Sequence, residues 1–133
     1  MFTLRNKKML LVLLVAPVML FATFVGDLDK IATAIQSGDS KALSAYFDNT
    51  VEVKILNKEG AYSKSQAEAV VKDFFTKNPP KSFKVLHQGP SGGNNAQYAI
   101  GSLQTDKGKF RTYVYMKKVG EKFLIQELNF ENE

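Results

Sequence analysis

A chain of 133 residues fits one domain and can bury an adequate core without help from metals or disulfides. It contains no cysteine, which excludes disulfides, thiolate metal sites and cysteine nucleophiles. The formal charge of +5 overstates the basicity: Arg5, Lys7 and Lys8 supply three of the 18 basic residues while all 13 acidic ones lie from Asp27 onward, which leaves residues 27–133 with 15 against 13, a balance of +2. Nucleic-acid binding, which needs a clustered basic stripe, has no support there.

The three early basic residues precede an apolar run from Met9 to Val25, and residues 1–26 read as an export signal. Pro17 interrupts the run, whose length lies at the short end of the roughly 17 to 25 residues that span a bilayer. Ala22 suits the end of a cleavage site, whereas Leu20 is larger than the residue preferred two places before it. Both cleavage and retention as an anchor remain open. The expectation is an exported protein, periplasmic or extracellular, tethered to a membrane only if this segment is uncleaved, with residues 27–133 as its single domain.

From Asp27, the residues Leu28, Ile31 and Ile35 recur at helical spacing, and Gly38 suits the left-handed position that ends a helix. A short second helix follows, capped by Asp39 or Ser40, with Leu43, Tyr46 and Phe47 on one side. Val51, Val53 and Ile55 alternate with Glu52 and Lys54, the period of a strand with one buried face, and Asn57 to Gly60 then turns the chain. Ser63 and Gln66 have capping-box spacing ahead of a long helix. Its apolar stripe is Ala67, Val70, Val71, Phe74 and Phe75.

Pro79 and Pro80 cannot continue that helix and bias Asn78 toward extended geometry. The remainder reads as an antiparallel meander. Phe83, Val85 and His87 alternate with Lys84 and Leu86, a Gly-Pro-Ser-Gly-Gly-Asn-Asn loop follows, and further strands cover Ala96 to Gln104, Phe110 to Val119 and Phe123 to Phe130.

A two-residue Gly120–Glu121 turn sets Val119 opposite Lys122, Met116 opposite Ile125 and Tyr115 opposite Gln126. Carried through the other hairpins with unbroken alternation, this register puts Phe83, Val85, His87, Tyr98, Ile100, Tyr113, Tyr115, Leu124, Leu128 and Phe130 on the helix-covered face. The other face then holds Leu103, Val114, Met116, Phe123 and Ile125 beside Gln97, Thr112 and Glu127. Because it is too apolar for a solvated surface, Val114, Met116, Phe123 and Ile125 become candidates for a homodimer surface on the outer sheet.

Two N-terminal helices, a strand, a longer helix and a meander give an α+β order. The blocks Ile35 to Phe47 (IQSGDSKALSAYF), Tyr62 to Phe75 and Phe83 to Gly89 (FKVLHQG) resemble a domain-of-unknown-function family of exported bacterial proteins with the nuclear-transport-factor-2-like, or cystatin-like, fold. The resemblance implies a cone: a curved antiparallel sheet covered by a long helix and two N-terminal helices. It implies no activity, because proteins of this fold include isomerases, dehydratases and non-catalytic binding modules.

His87, the only histidine, is the one side chain whose ordinary pKa suits proton transfer near neutrality, and with Tyr98 or Tyr113 it forms the single acid/base pairing available to a small isomerase or lyase. The plainer reading is a histidine at the end of a structural strand. Tyr62, His87, Tyr98, Tyr113 and Tyr115 are the candidates for lining a ligand cavity, against ordinary packing with hydroxyls reaching water. Glu127, desolvated between Ile125 and Leu128, would be a base only if its carboxylate failed to reach water or Lys117. A lone histidine leaves no metal site, and the glycine loop lacks the lysine, serine and following helix of a phosphate cradle. The sequence therefore points to an exported, non-catalytic binding or interaction module without cofactor, holding a small apolar ligand in the cleft between the third helix and the sheet.

Overall fold

The computed structural model describes residues 24–93 and 95–133, so the stretch expected to be an export signal, and its expected cleavage, lie largely outside the described residues. Helix α1 is described from residue 24 through 37 and is followed by α2 (Ser40–Ser44) and α3 (Lys64–Lys77). The strands are β1 (Phe47–Ile55), β2 (Lys58–Ser63), β3 (Pro80–Pro90), β4 (Ala96–Thr105), β5 (Gly108–Val119) and β6 (Lys122–Asn132). They form one curved six-stranded sheet in the order β2-β1-β6-β5-β4-β3, antiparallel except where β1 runs parallel to β6.

Local chemistry sets the helix ends. At the end of α1, Gly38 adopts φ +66°, its amide bonds to the Ile35 carbonyl and that of Asp39 to the Ala34 carbonyl, which is a Schellman closure. Asp39 then caps α2 by accepting from the Ala42 amide at 3.0 Å. Ser63 and Gln66 close the expected capping box on α3, and the helix stops at Lys77 ahead of the two prolines. The loop assigned to Asn57–Gly60 is instead a two-residue turn, Leu56–Asn57, because Ile55 pairs with Lys58 and the chain returns along β1 as β2. Glycine within Lys58–Ser63 hid that strand.

All three helices contribute to the core on one face of the sheet. Ile31 and Ile35 from α1, Leu43 from α2, and Val71, Phe74 and Phe75 from α3 are buried there. Phe74 stacks on Phe130 at 4.5 Å and meets Phe110 edge-on at 5.1 Å, while Phe24 meets Phe123 edge-on at 5.2 Å. Phe24 belongs to the stretch assigned to the export signal, yet here it packs into the folded core.

The covered face is not the one that unbroken alternation selects. Val114, Met116, Phe123 and Ile125, assigned to an outer partner surface, are 0–2% exposed beneath the helices, and Leu103 joins them. Tyr98, Ile100, Tyr113, Tyr115 and Leu124 lie half-buried on the opposite, open face. The cause is a bulge in β6: Met116 pairs with Ile125 as expected, but Tyr115 pairs with Glu127, leaving Gln126 as the extra residue. Phe123, Ile125, Leu128 and Phe130 consequently all point inward, and Glu127 points outward. A second bulge at Leu86 pairs Val85 with Gly101 but His87 with Ile100. Phe83 and Val85 pack against the core as expected, whereas His87 is carried to the open face.

Candidate functional site

A groove of about 620 Å³ lies between α3 and the β1–β2 hairpin. Val53 and Ile55 of β1, Leu56 in the turn, Tyr62 of β2, and Val70 and Phe74 of α3 form its apolar lining. The helix presents these residues because they continue its core stripe past the point where the short hairpin covers it. Tyr62 lies flat over its own strand because Gly60 has no side chain: a Cβ there would sit 3.1 Å from the tyrosine ring. Leu56 holds φ 55°, a left-handed conformation that costs a branched side chain about 1–2 kcal/mol and marks the turn as locally strained at the groove mouth.

Polar groups are confined to the rim. Lys77 and Asp73 form an exposed i,i+4 ion pair at 3.0 Å, Asn78 donates from Nδ2 to the Phe74 carbonyl at 3.1 Å, and Asn57 and Lys58 complete the edge. The lining holds a single carboxylate, that of Asp73, and no histidine. This arrangement can desolvate an apolar body and orient a polar head, but it places no acid/base pair over the buried portion.

The sheet divides the five residues expected to line a cavity. Tyr62 faces the groove, while Tyr98, Tyr113 and Tyr115 cluster on the open face, where Tyr98 pairs with Tyr115 and Tyr113 with Ile100. His87 is exposed on the open face and opposes Ile100, so that β4 separates it from Tyr113 by two strand spacings, about 10 Å. Tyr98, two residues before Ile100 on β4, lies diagonally beside His87 on the same open face, so the expected acid/base candidates share that face, and His87 lies outside the groove.

Open-face electrostatics centre on Tyr113, whose phenol is held above the ordinary tyrosine value by burial first, then by the Glu127 carboxylate and the neighbouring phenols of Tyr115 and Tyr98. Glu127 accepts from Asn129 Nδ2 at 3.2 Å. Beside it, Gln126 donates to Asp48 Oδ2 at 2.7 Å, which together with the Asn49 amide lowers the Asp48 pKa against a small opposing effect of burial. The extra residue of the bulge thus turns its amide outward to hold the start of β1. The sequence signal for this was a phase shift in FLIQELNF, where apolar residues fall at 123 and 125 and then at 128 and 130. Missed from the apolar lining was Leu56, since an isolated leucine in a turn carries no signal of its own, and missed from the rim were Lys58, Asp73 and Lys77.

This architecture is shared with known folds. A nuclear-transport-factor-2-like protein of unknown function from Shewanella baltica is 18% identical with a TM-score of 0.64 over 86% of this chain and 94% of its own. A cystatin-like domain of unknown function from Nostoc punctiforme is 11% identical with a TM-score of 0.63 over 81% of this chain and 74% of its own. These likenesses define the class as nuclear-transport-factor-2-like, or cystatin-like. Within it, a DUF4783 protein from Bacteroides uniformis is 30% identical with a TM-score of 0.74, covering 79% of this chain and 95% of its own. Residues 28–131 match the sequence profile of DUF4783, a domain of unknown function, and the chain belongs to that family. No curated protein matches the chain.

Proposed function

We propose that this is an exported, non-catalytic binding module whose groove takes one small molecule with an apolar body and an anionic head. The observation that carries this reading is the groove between α3 and the β1–β2 hairpin: at about 620 Å³ it has the size of a small-molecule site, with apolar depth and a polar rim. Lys58 and Lys77 against Asp73 favour an anionic head over a cationic one. Export is supported by the basic-then-apolar order of the first 25 residues.

Native mass spectrometry of the protein purified from its own host should find a retained small molecule. The anionic fluorophore 1-anilinonaphthalene-8-sulfonate should bind the emptied protein saturably at about 10 μM, and Val70→Trp, which fills the groove from α3, should abolish both signals. A host-purified chain with no bound mass and no saturable binding of the fluorophore would overturn the proposal.

A further inference from the structure

Helix α1 buries one stripe of side chains against the sheet, and the first rung of that stripe is Phe24. It is 3% exposed and meets Phe123 edge-on at 5.2 Å, and Leu28, Ile31 and Ile35 follow it at helical spacing, all buried. Three residues further on, Asp27 Oδ2 accepts from the Phe123 amide at 2.9 Å. A ring contact and a hydrogen bond thus fasten the start of α1 to the start of β6. Val25 packs against the same core at partial burial. The folded domain therefore claims the last two residues of the apolar run that opens the chain.

With Phe24 and Val25 in the core, the run available to a membrane shortens to Met9–Ala22. Its 14 residues, interrupted by Pro17, would reach about 21 Å as a helix, short of the roughly 30 Å hydrocarbon core of a bilayer. That length suits the apolar part of a signal peptide, about 7 to 15 residues, and not a spanning anchor. Thr23 is the first residue after Lys8 with a hydroxyl, amide or charge, and one-sided burial begins at the next position. The pattern changes from apolar on every side to apolar on one side at this point.

We propose that the peptide bond between Ala22 and Thr23 is the processing site of a signal peptidase, a step that rests on the export proposed for this chain, and that the mature protein begins at Thr23 and is released. Packing sets the limit on one side. A cut after Gly26, the next small residue, would remove Phe24 and leave Phe123 beside a void. On the other side, a cut after Ala16 would leave Val18, Met19, Leu20 and Phe21 as an apolar tail ahead of the first rung of α1. Between those limits, in residues 17–25, Ala22 is the only alanine, glycine or serine. Water adds across the amide, which leaves the Ala22 carboxylate on the discarded segment and a free α-ammonium on Thr23. Leu20, bulky two places before the cut, slows the step without moving it. The groove stays untouched, because Phe47 pairs with Ile125 near the α1 start while the groove is built on Ile55 and Leu56, about 25 Å along β1.

Intact mass and N-terminal sequencing of the protein from its own host, after separation of cytosol, membranes and exported fraction, should give a chain beginning at Thr23 in the exported fraction. Ala22→Leu should accumulate uncleaved, and Leu20→Ala should shorten the processing half-time in a pulse–chase at least about threefold. Phe24→Ala should still be cut after Ala22 but melt about 10 °C lower, which reads the packing limit separately from the cleavage. An uncleaved wild-type chain outside the cytosol, a mature chain beginning at any other residue, normal processing of Ala22→Leu, or an unchanged melting temperature in Phe24→Ala would each overturn the proposal and leave export standing. An uncleaved wild-type chain confined to the cytosol would overturn export as well.

Discussion

Both faces of the sheet carry large apolar and aromatic side chains from the same three strands, yet they have opposite fates. On β4, β5 and β6 the covered face holds Leu103, Phe110, Val114, Met116, Phe123, Ile125, Leu128 and Phe130, all at most 4% exposed. The open face of those strands holds Tyr98, Ile100, Tyr113, Tyr115 and Leu124, all half-buried. Hydrophobicity alone does not separate the sets. The difference is that tyrosines end in a hydroxyl that must find water or a partner, whereas phenylalanines can be enclosed on every side without leaving a polar group unpaired. A fold with both kinds of aromatic residue resolves the ambiguity by putting the phenylalanines under helices.

The largest expected effect tests that division within one strand. Leu124 and Leu128 are four residues apart and would share a face in unbroken alternation, but the bulge at Gln126 separates them. Leu128→Ala should cost about 2–5 kcal/mol of unfolding free energy, as for a buried leucine left with a cavity, while Leu124→Ala should cost less than about 1 kcal/mol. Equal costs in urea denaturation would remove the bulge and with it the assignment of the two faces.

A smaller effect compares two glycines of the β3–β4 pair. Gly101 lies on the covered face directly under Phe83, where a Cβ would sit 2.5 Å from the ring and 2.8 Å from the Lys84 carbonyl oxygen. Gly89 lies on the open face, and a Cβ there would meet Tyr98 at an ordinary 3.5 Å. Gly101→Ala should cost about 1–3 kcal/mol, because the ring and the backbone cannot both retreat. Gly89→Ala should stay within about 0.5 kcal/mol of wild type. The contrast sharpens the comparison of faces: one is packed tightly enough to resent a methyl group, the other is not.

Most of the fold was legible because local chemistry and pattern agreed. Ser63 and Gln66 announced α3, Pro79 and Pro80 ended it, Gly38 closed α1, and the Val119–Lys122 hairpin set the register that Met116 and Ile125 keep. What failed was propagation. Two single-residue bulges, at Leu86 and Gln126, each invert every side chain beyond them, and a period-2 reading has no means of skipping a residue unless the phase shift in FLIQELNF is taken as a signal. The groove was legible only in part. Its place between the third helix and the sheet follows from the stripe of α3, and Tyr62 was among the expected lining residues. Leu56 and the hairpin that forms the other wall depended on β2, whose alternation is broken by Gly60 and Ala61 and whose residues are mostly exposed.

The smallest effect concerns what the open face does to a proton. Tyr113 is half-buried, and burial followed by the nearby Glu127 carboxylate and two phenols makes its ionisation harder in the folded chain. In the unfolded chain the same phenol ionises near its ordinary value of about 10. The unfolded state therefore releases its proton first as pH rises, so the stability tied to this group is fully present below that value and is lost as pH climbs through the higher folded one. Melting temperature should accordingly fall more between about pH 9 and about pH 11 in wild type than in Tyr113→Phe, which has no proton to lose at that site. Glu127→Gln removes one of the charges opposing the phenolate and should bring the titration of Tyr113, followed by ultraviolet absorbance, back toward the ordinary value. An alkaline limb unchanged by Tyr113→Phe would mean that the tyrosine cluster is as solvated as isolated phenols, and the contrast between the two faces would be that between a packed surface and a fully hydrated one.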